Sequence, residues 1–231
     1  MKASSAFGWV NVLVGLLLTA SLPAPIARAD PADAVVRIPS HGCSGTVIAT
    51  GPGETWIITC AHGWEGRDAS KPLAVDAPWP AAGQQRDSGT GVRVVKLDHE
   101  ADLCLIRLPR GPLPYFAPVG EIEPRPGQTV YAVGHAAMRW PANRAAYTVV
   151  DLDGQWTHTR QRPAPGDSGG PLLDASGNLV GTCTGFEGGR GGRGMYVRLL
   201  LIRRFLGFAP GSDFSLPGAR PAPFARPSPF G

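Results

Sequence analysis

An all-β fold closed by one short helix is predicted by three observations on this chain. Short β-branched or apolar runs recur between turn signals, and 31 glycines and 24 prolines punctuate the whole length. Only one stretch, near residue 200, has the length and spacing of a helix.

The first 29 residues stand apart from this pattern. Lys2, an apolar run over 9–20 interrupted only by Asn11 and Thr19, and Ala27-Arg28-Ala29 are the parts of a secretory signal. The run is short for a membrane span, so cleavage after Ala29 and no stable membrane insertion afterwards are expected. The first strand is expected at 34–38 (Ala-Val-Val-Arg-Ile) and the second at 45–49, where Gly45 opens Thr-Val-Ile-Ala. Pro52-Gly53 marks a turn before a third run at 55–59, and two more follow at 91–97 and 103–108.

Six prolines fall between Pro109 and Pro126 with few strand-forming residues among them, which reads as a connector on the surface. Strands resume at 129–133, 146–152, 171–173, 179–182 and 195–198, and 199–206 (Leu-Leu-Leu-Ile-Arg-Arg-Phe-Leu) is the helix. The expected organisation is a signal peptide at 1–29, a first β domain at 30–110, and a connector with a second β domain at 111–208. Residues 209–231 carry six prolines among small and basic residues, and such a tail forms no packed element. The four phenylalanines Phe208, Phe214, Phe224 and Phe230 leave a docking role open for it.

Composition excludes some classes of function. The formal net charge is +4, and the signal segment takes Lys2 and Arg28 with it. No continuous basic face with interleaved aromatics exists, so no nucleic-acid partner is expected, and the Gly-Arg run at 190–193 reads as a loop. An exported chain with four cysteines makes Cys43, Cys60, Cys104 and Cys183 disulfide candidates first.

Three short segments carry chemistry, in the order Thr59-Cys-Ala-His62, Ala101-Asp-Leu103 and Gly166-Asp-Ser-Gly-Gly-Pro171. A serine hydroxyl is a poor nucleophile at neutral pH and needs a base in reach, which makes Ser168 the nucleophile and His62 the base. Asp102 is the acceptor that would hold the other imidazole nitrogen and stabilise the imidazolium. Thr184 is the expected donor to that carboxylate. The backbone N–H groups of Gly166 and Ser168 would face the negative charge that builds on a carbonyl oxygen under attack.

Together with Ser44-Gly-Thr-Val-Ile48, Asp102 to Leu108, Val180 to Gly185 and Gly194 to Arg198, these segments resemble the trypsin and chymotrypsin family of serine endopeptidases. The resemblance implies two antiparallel six-stranded β-barrels with the active site in the cleft between them. It further implies hydrolysis of peptide bonds through an acyl-enzyme, polypeptide substrates and no cofactor. A secreted or periplasmic location and a monomer go with that reading. It pairs Cys43 with Cys60, leaves Cys104 and Cys183 either paired with one another or free, and places substrate contacts near Arg162, Thr184, Gly185 and Phe186. No metal is expected, because His62 cannot serve at once as a ligand and as the base.

The chain departs from the family in two ways. It has no Ile-Val-Gly-Gly before Cys43, so Asp167 needs a partner other than a freed amino terminus. No acid stands where selection of Lys or Arg would need one, and Arg162 near the pocket floor leaves an acidic or a small preference open. His99 lacks the Thr-x-Ala-His context, and His135 and His158 read as loop or cleft residues. Two other functions stand beside the enzyme: a catalytically silent binding protein on the same fold, and an interaction protein that works through its tail.

Overall fold

The computed structural model describes residues 30–79, 83–87, 91–113, 115–140, 142–189 and 191–208; the expected signal segment and proline-rich tail lie outside these. The first unit contains β1 (Val35–Ile38), β2 (Cys43–Gly51), β3 (Glu54–Thr59), β4 (Val75–Trp79), β5 (Gly83–Asp87), β6 (Arg93–Asp98) and β7 (Leu103–Leu108). The second contains β8 (Thr129–Gly134), β9 (Asn143–Asp153), β10 (Trp156–Thr159), β11 (Pro171–Leu173), β12 (Leu179–Phe186) and β13 (Gly194–Arg198), followed by α1 (Leu199–Leu206). All pairings between these strands are antiparallel.

The second unit closes as a six-stranded barrel in the order β10-β13-β12-β11-β8-β9. The first is instead a seven-stranded sheet in the order β5-β4-β1-β2-β3-β7-β6. The β4–β5 hairpin accounts for this difference from a six-stranded barrel, because it hangs on β1 through the registered pair Arg37–Asp76 and, among the described residues, no pairing joins β5 back to β6.

The central strands of the first unit are buried on both faces. On one face Val47, Ile57 and Ile106 pack with Val36, Ile38 and Trp64 in the unit's own core. On the other, Ile48, Trp56, Ile58 and Leu105 meet Val133, Leu173, Leu179 and Val197 of the barrel. Two-sided burial removes any need for polar alternation, which is why these strands read as unbroken apolar runs. Helix α1 caps the same inter-unit core with Ile202 and Phe205 and stops at Gly207, whose φ of 85° suits a left-handed C-terminal residue. Among the described residues no helix is long and apolar enough to cross a membrane.

Candidate active site

Strand β3 ends at Thr59, and the chain turns through Cys60 and Ala61 into a 3-10 turn at His62–Trp64. That turn aims two backbone N–H groups at one carboxylate. Ala61 and His62 donate to Asp102 Oδ1 at 2.9 and 2.8 Å, and His62 Nδ1 lies 3.0 Å from Oδ2 and 3.1 Å from Oδ1. An ionised carboxylate only accepts, so Nδ1 carries a proton, and in the neutral ring Nε2 is then the acceptor.

Asp102 ends the β6–β7 turn at φ 52°, a left-handed conformation that aspartate tolerates better than most residues. Burial works to raise its pKa. The His62 hydrogen bond and charge, the nearby Thr184 hydroxyl and the His62 backbone N–H outweigh it and hold the group below the ordinary carboxylate range. The Asp102 hydrogen bond, joined by the Cys60 thiol, raises the His62 pKa against the opposing effect of partial burial. Thr184 Oγ1 is buried and helps to lower the Asp102 pKa, while the well-formed backbone hydrogen bonds to the carboxylate come from Ala61 and His62.

Ser168 lies in the β10–β11 connection, where nearly every backbone group of the loop is committed. The Pro165 carbonyl accepts from Ala137 N–H at 2.6 Å, and the Gly166 carbonyl accepts from Ser44 Oγ at 2.8 Å. The Asp167 carbonyl accepts from Gly170 N–H at 2.8 Å, and the Ser168 carbonyl accepts from Ser44 N–H at 2.7 Å. Asp167 N–H donates to Ala164 and Gly169 N–H donates to Cys183. Among the described residues this leaves the N–H groups of Gly166 and Ser168, on either side of Asp167, without an acceptor. Gly166 has φ 98°, which a side chain would resist, and a Cβ at Gly169 would collide with Thr59 and the Ser44 carbonyl. The Ser168 hydroxyl rests 3.5 Å from the Thr184 carbonyl and makes no hydrogen bond to His62 in this state.

The residues expected to contact substrate gather on β12 and the loop before Ser168. Thr184, Gly185 and Phe186 follow one another along the strand. The Arg162 guanidinium lies 3.6 Å over the Phe186 ring and donates to the Gly189 carbonyl at 2.9 Å. Asp167 takes Ala164 N–H at 2.8 Å on Oδ2, while Oδ1 is buried without a partner. Burial therefore raises its pKa, with the Ala164 bond opposing. The carboxylate lies on the wall of a cavity of about 200 Å³ together with Gly134, Asn143, Ala145, Tyr147 and Tyr196.

Two expectations are corrected. Cys43 and Cys60 are thiols: their sulfurs are 3.4 Å apart, well beyond the roughly 2.05 Å of a disulfide, because the Cys43 sulfur is turned onto the His41 carbonyl at 3.1 Å. Cys104 and Cys183 are also free and buried, the open alternative of the sequence reading. His135 lies in the loop after β8, one of the two places expected for it, whereas His158 stands on strand β10 rather than in a loop or cleft; they are 0% and 2% exposed. His135 Nδ1 meets the Arg139 carbonyl, and His158 sits beneath Asp151 and Glu187, which Arg193 binds together. Among the described residues no three His, Cys, Asp or Glu side chains gather as a metal site. Sequence reasoning picked out Ser44 only as the start of a family-like segment and missed its bonds to the Ser168 loop, which join residues more than 120 apart in the chain, and it missed the Ala137 N–H, which acts through backbone alone.

Against known proteins, a profile of the trypsin-like peptidase domain matches residues 43–181. No curated protein matches. Solved structures do: the MamO protease domain from Magnetospirillum magneticum is 22% identical with a TM-score of 0.59, covering 74% of this chain and 95% of that one. A serine endoprotease from Yersinia pestis is also 22% identical, TM-score 0.59, covering 77% of this chain and 62% of its own length. Rv3671c from Mycobacterium tuberculosis, in an inactive form, is 20% identical with a TM-score of 0.59 over 80% of this chain and 93% of that one.

Proposed function

The chain belongs to the trypsin-like peptidase domain family, and from that premise we propose that it is an exported serine endopeptidase that cuts polypeptides through an acyl-enzyme. The observation that carries the reading is the saturation of Asp102 by Ala61 N–H, His62 N–H and His62 Nδ1, which leaves His62 Nε2 as a base. The Ser168 hydroxyl leaves the Thr184 carbonyl, gives its proton to Nε2 as Oγ attacks the scissile carbonyl, and the imidazolium is stabilised by Asp102. The oxyanion is received by the N–H groups of Gly166 and Ser168, whose loop is already fixed and needs no reorganisation as charge develops. Imidazolium then protonates the leaving amine, and a water activated by His62 releases the acyl group.

Arg162, Thr184, Gly185 and Phe186 form the substrate wall in this reading, with an aromatic face and a cation offered together. Export rests on the signal features of residues 1–29. The test is hydrolysis of fluorescein-labelled casein by residues 30–231. Turnover that drops by about 10⁴-fold or more in Ser168→Ala supports the proposal; an inert wild-type protein supports a silent binding protein instead.

A further inference from the structure

Ser44 is fully buried in β2 of the first unit, yet its hydrogen bonds reach the nucleophile loop of the second. Its Oγ donates to the Gly166 carbonyl at 2.8 Å and accepts His135 N–H at 2.9 Å. Its N–H donates to the Ser168 carbonyl at 2.7 Å, and its own carbonyl accepts Thr59 Oγ1 at 2.6 Å. One residue thus holds the carbonyls on both sides of Asp167 while being anchored to the strand that leads to His62.

We propose that Ser44 is a positioning residue that sets the oxyanion-binding N–H groups from across the inter-unit boundary. The inference rests on the endopeptidase reading. In an isolated loop, each peptide plane from Pro165 to Gly169 could rotate, and a plane that turned over would present a carbonyl where an N–H is needed. The Ser44 hydroxyl pins the 166–167 plane by its oxygen, and the Ser44 N–H does the same for the 168–169 plane. The planes carrying Gly166 N–H and Ser168 N–H lie next to these, held by Ala137 and Gly170. A hydroxyl is required because the oxygen must donate to Gly166 and accept from His135 at once. Alanine would leave both backbone groups buried without partners.

The effect falls where charge develops, so it belongs to the transition state more than to substrate binding. Ser44→Ala is compared with wild type on the best substrate from a fluorogenic tetrapeptide panel, with kcat expressed per active site titrated by a fluorophosphonate. A tenfold or greater loss in kcat per site is expected, with KM within twofold. Affinity for a peptide boronate, whose adduct is tetrahedral, should fall by the same factor as kcat/KM. Ser44→Cys, similar in volume with a weaker donor, should lie between the two and serves if the alanine variant does not fold. Wild-type kcat per site in the folded variants, or a loss confined to KM or to the titrated fraction, overturns the proposal. A wild-type protein that neither turns over nor reacts with the fluorophosphonate overturns the endopeptidase reading beneath it.

Discussion

Asp102 occupies a conformation most residues avoid, at φ 52°, and in return its carboxylate faces both the His62 ring and the backbone that carries it. The same contacts that lower the aspartate pKa raise that of the histidine. A base with a raised pKa is available only after it loses its proton, so kcat/KM should rise with pH along a limb whose midpoint lies above the ordinary histidine value of about 6.5. Asp102→Asn removes the cause of the rise and permits the wrong tautomer. On the proposed mechanism it should lower kcat by about 10⁴-fold, the loss known for the same change in a Ser-His-Asp triad, and move the limb to lower pH. A pH–rate series from 5 to 10 checks both. The contact between His62 and Asp102 was legible in sequence because each of the two side chains sits in a distinctive short context. The Ala61 and Ala137 N–H groups were not, because any residue other than proline supplies that donor.

Helix α1 shows an element whose sequence and packing agree throughout. Leu199, Ile202 and Phe205 recur three apart and are buried, while Leu200 is 60% exposed on the other side. Arg203 and Arg204 lie in the last turn, where positive charge suits the helix dipole. Phe205 fills the inter-unit core at 5% exposure, with the Lys96 ammonium 4.6 Å from its ring centroid. Phe205→Ala should cost about 3–5 kcal/mol, lowering the urea midpoint without changing the slope. Strand β7 was expected at 103–108 and forms there, since Leu-Cys-Leu-Ile-Arg-Leu has no competing turn signal. Strands β4, β5 and β10 escaped the sequence reading for physical reasons. Pro78 interrupts the first, Gly-Gln-Gln-Arg-Asp gives the second no apolar pattern, and Trp-Thr-His-Thr gives the third only four residues, fixed by pairing with β9 and β13.

At the scale of the molecule, the two units share one apolar core and polar ties that run from the first unit to the loop after β8 and to the loop of Ser168. Arg37 of β1 binds Asp76 within its own unit and donates to the Met138 carbonyl at 2.7 Å in the other. Ser44 makes a second crossing directly beneath Ser168. Units joined in this way should unfold together, and calorimetry of residues 30–231 should give one transition with equal calorimetric and van't Hoff enthalpies; two resolved transitions would show independent units. The resemblance to a known family anticipated the closed barrel, whereas the open seven-stranded sheet depends on where an edge hairpin docks, which no local pattern encodes. The most direct test of the account is the site of covalent modification. Residues 30–231 are treated with a fluorophosphonate, digested and mapped by mass spectrometry. A single adduct on Ser168, lost in Ser168→Ala and strongly slowed in His62→Ala, is the predicted result. An adduct on another residue, or labelling that survives Ser168→Ala, would contradict it.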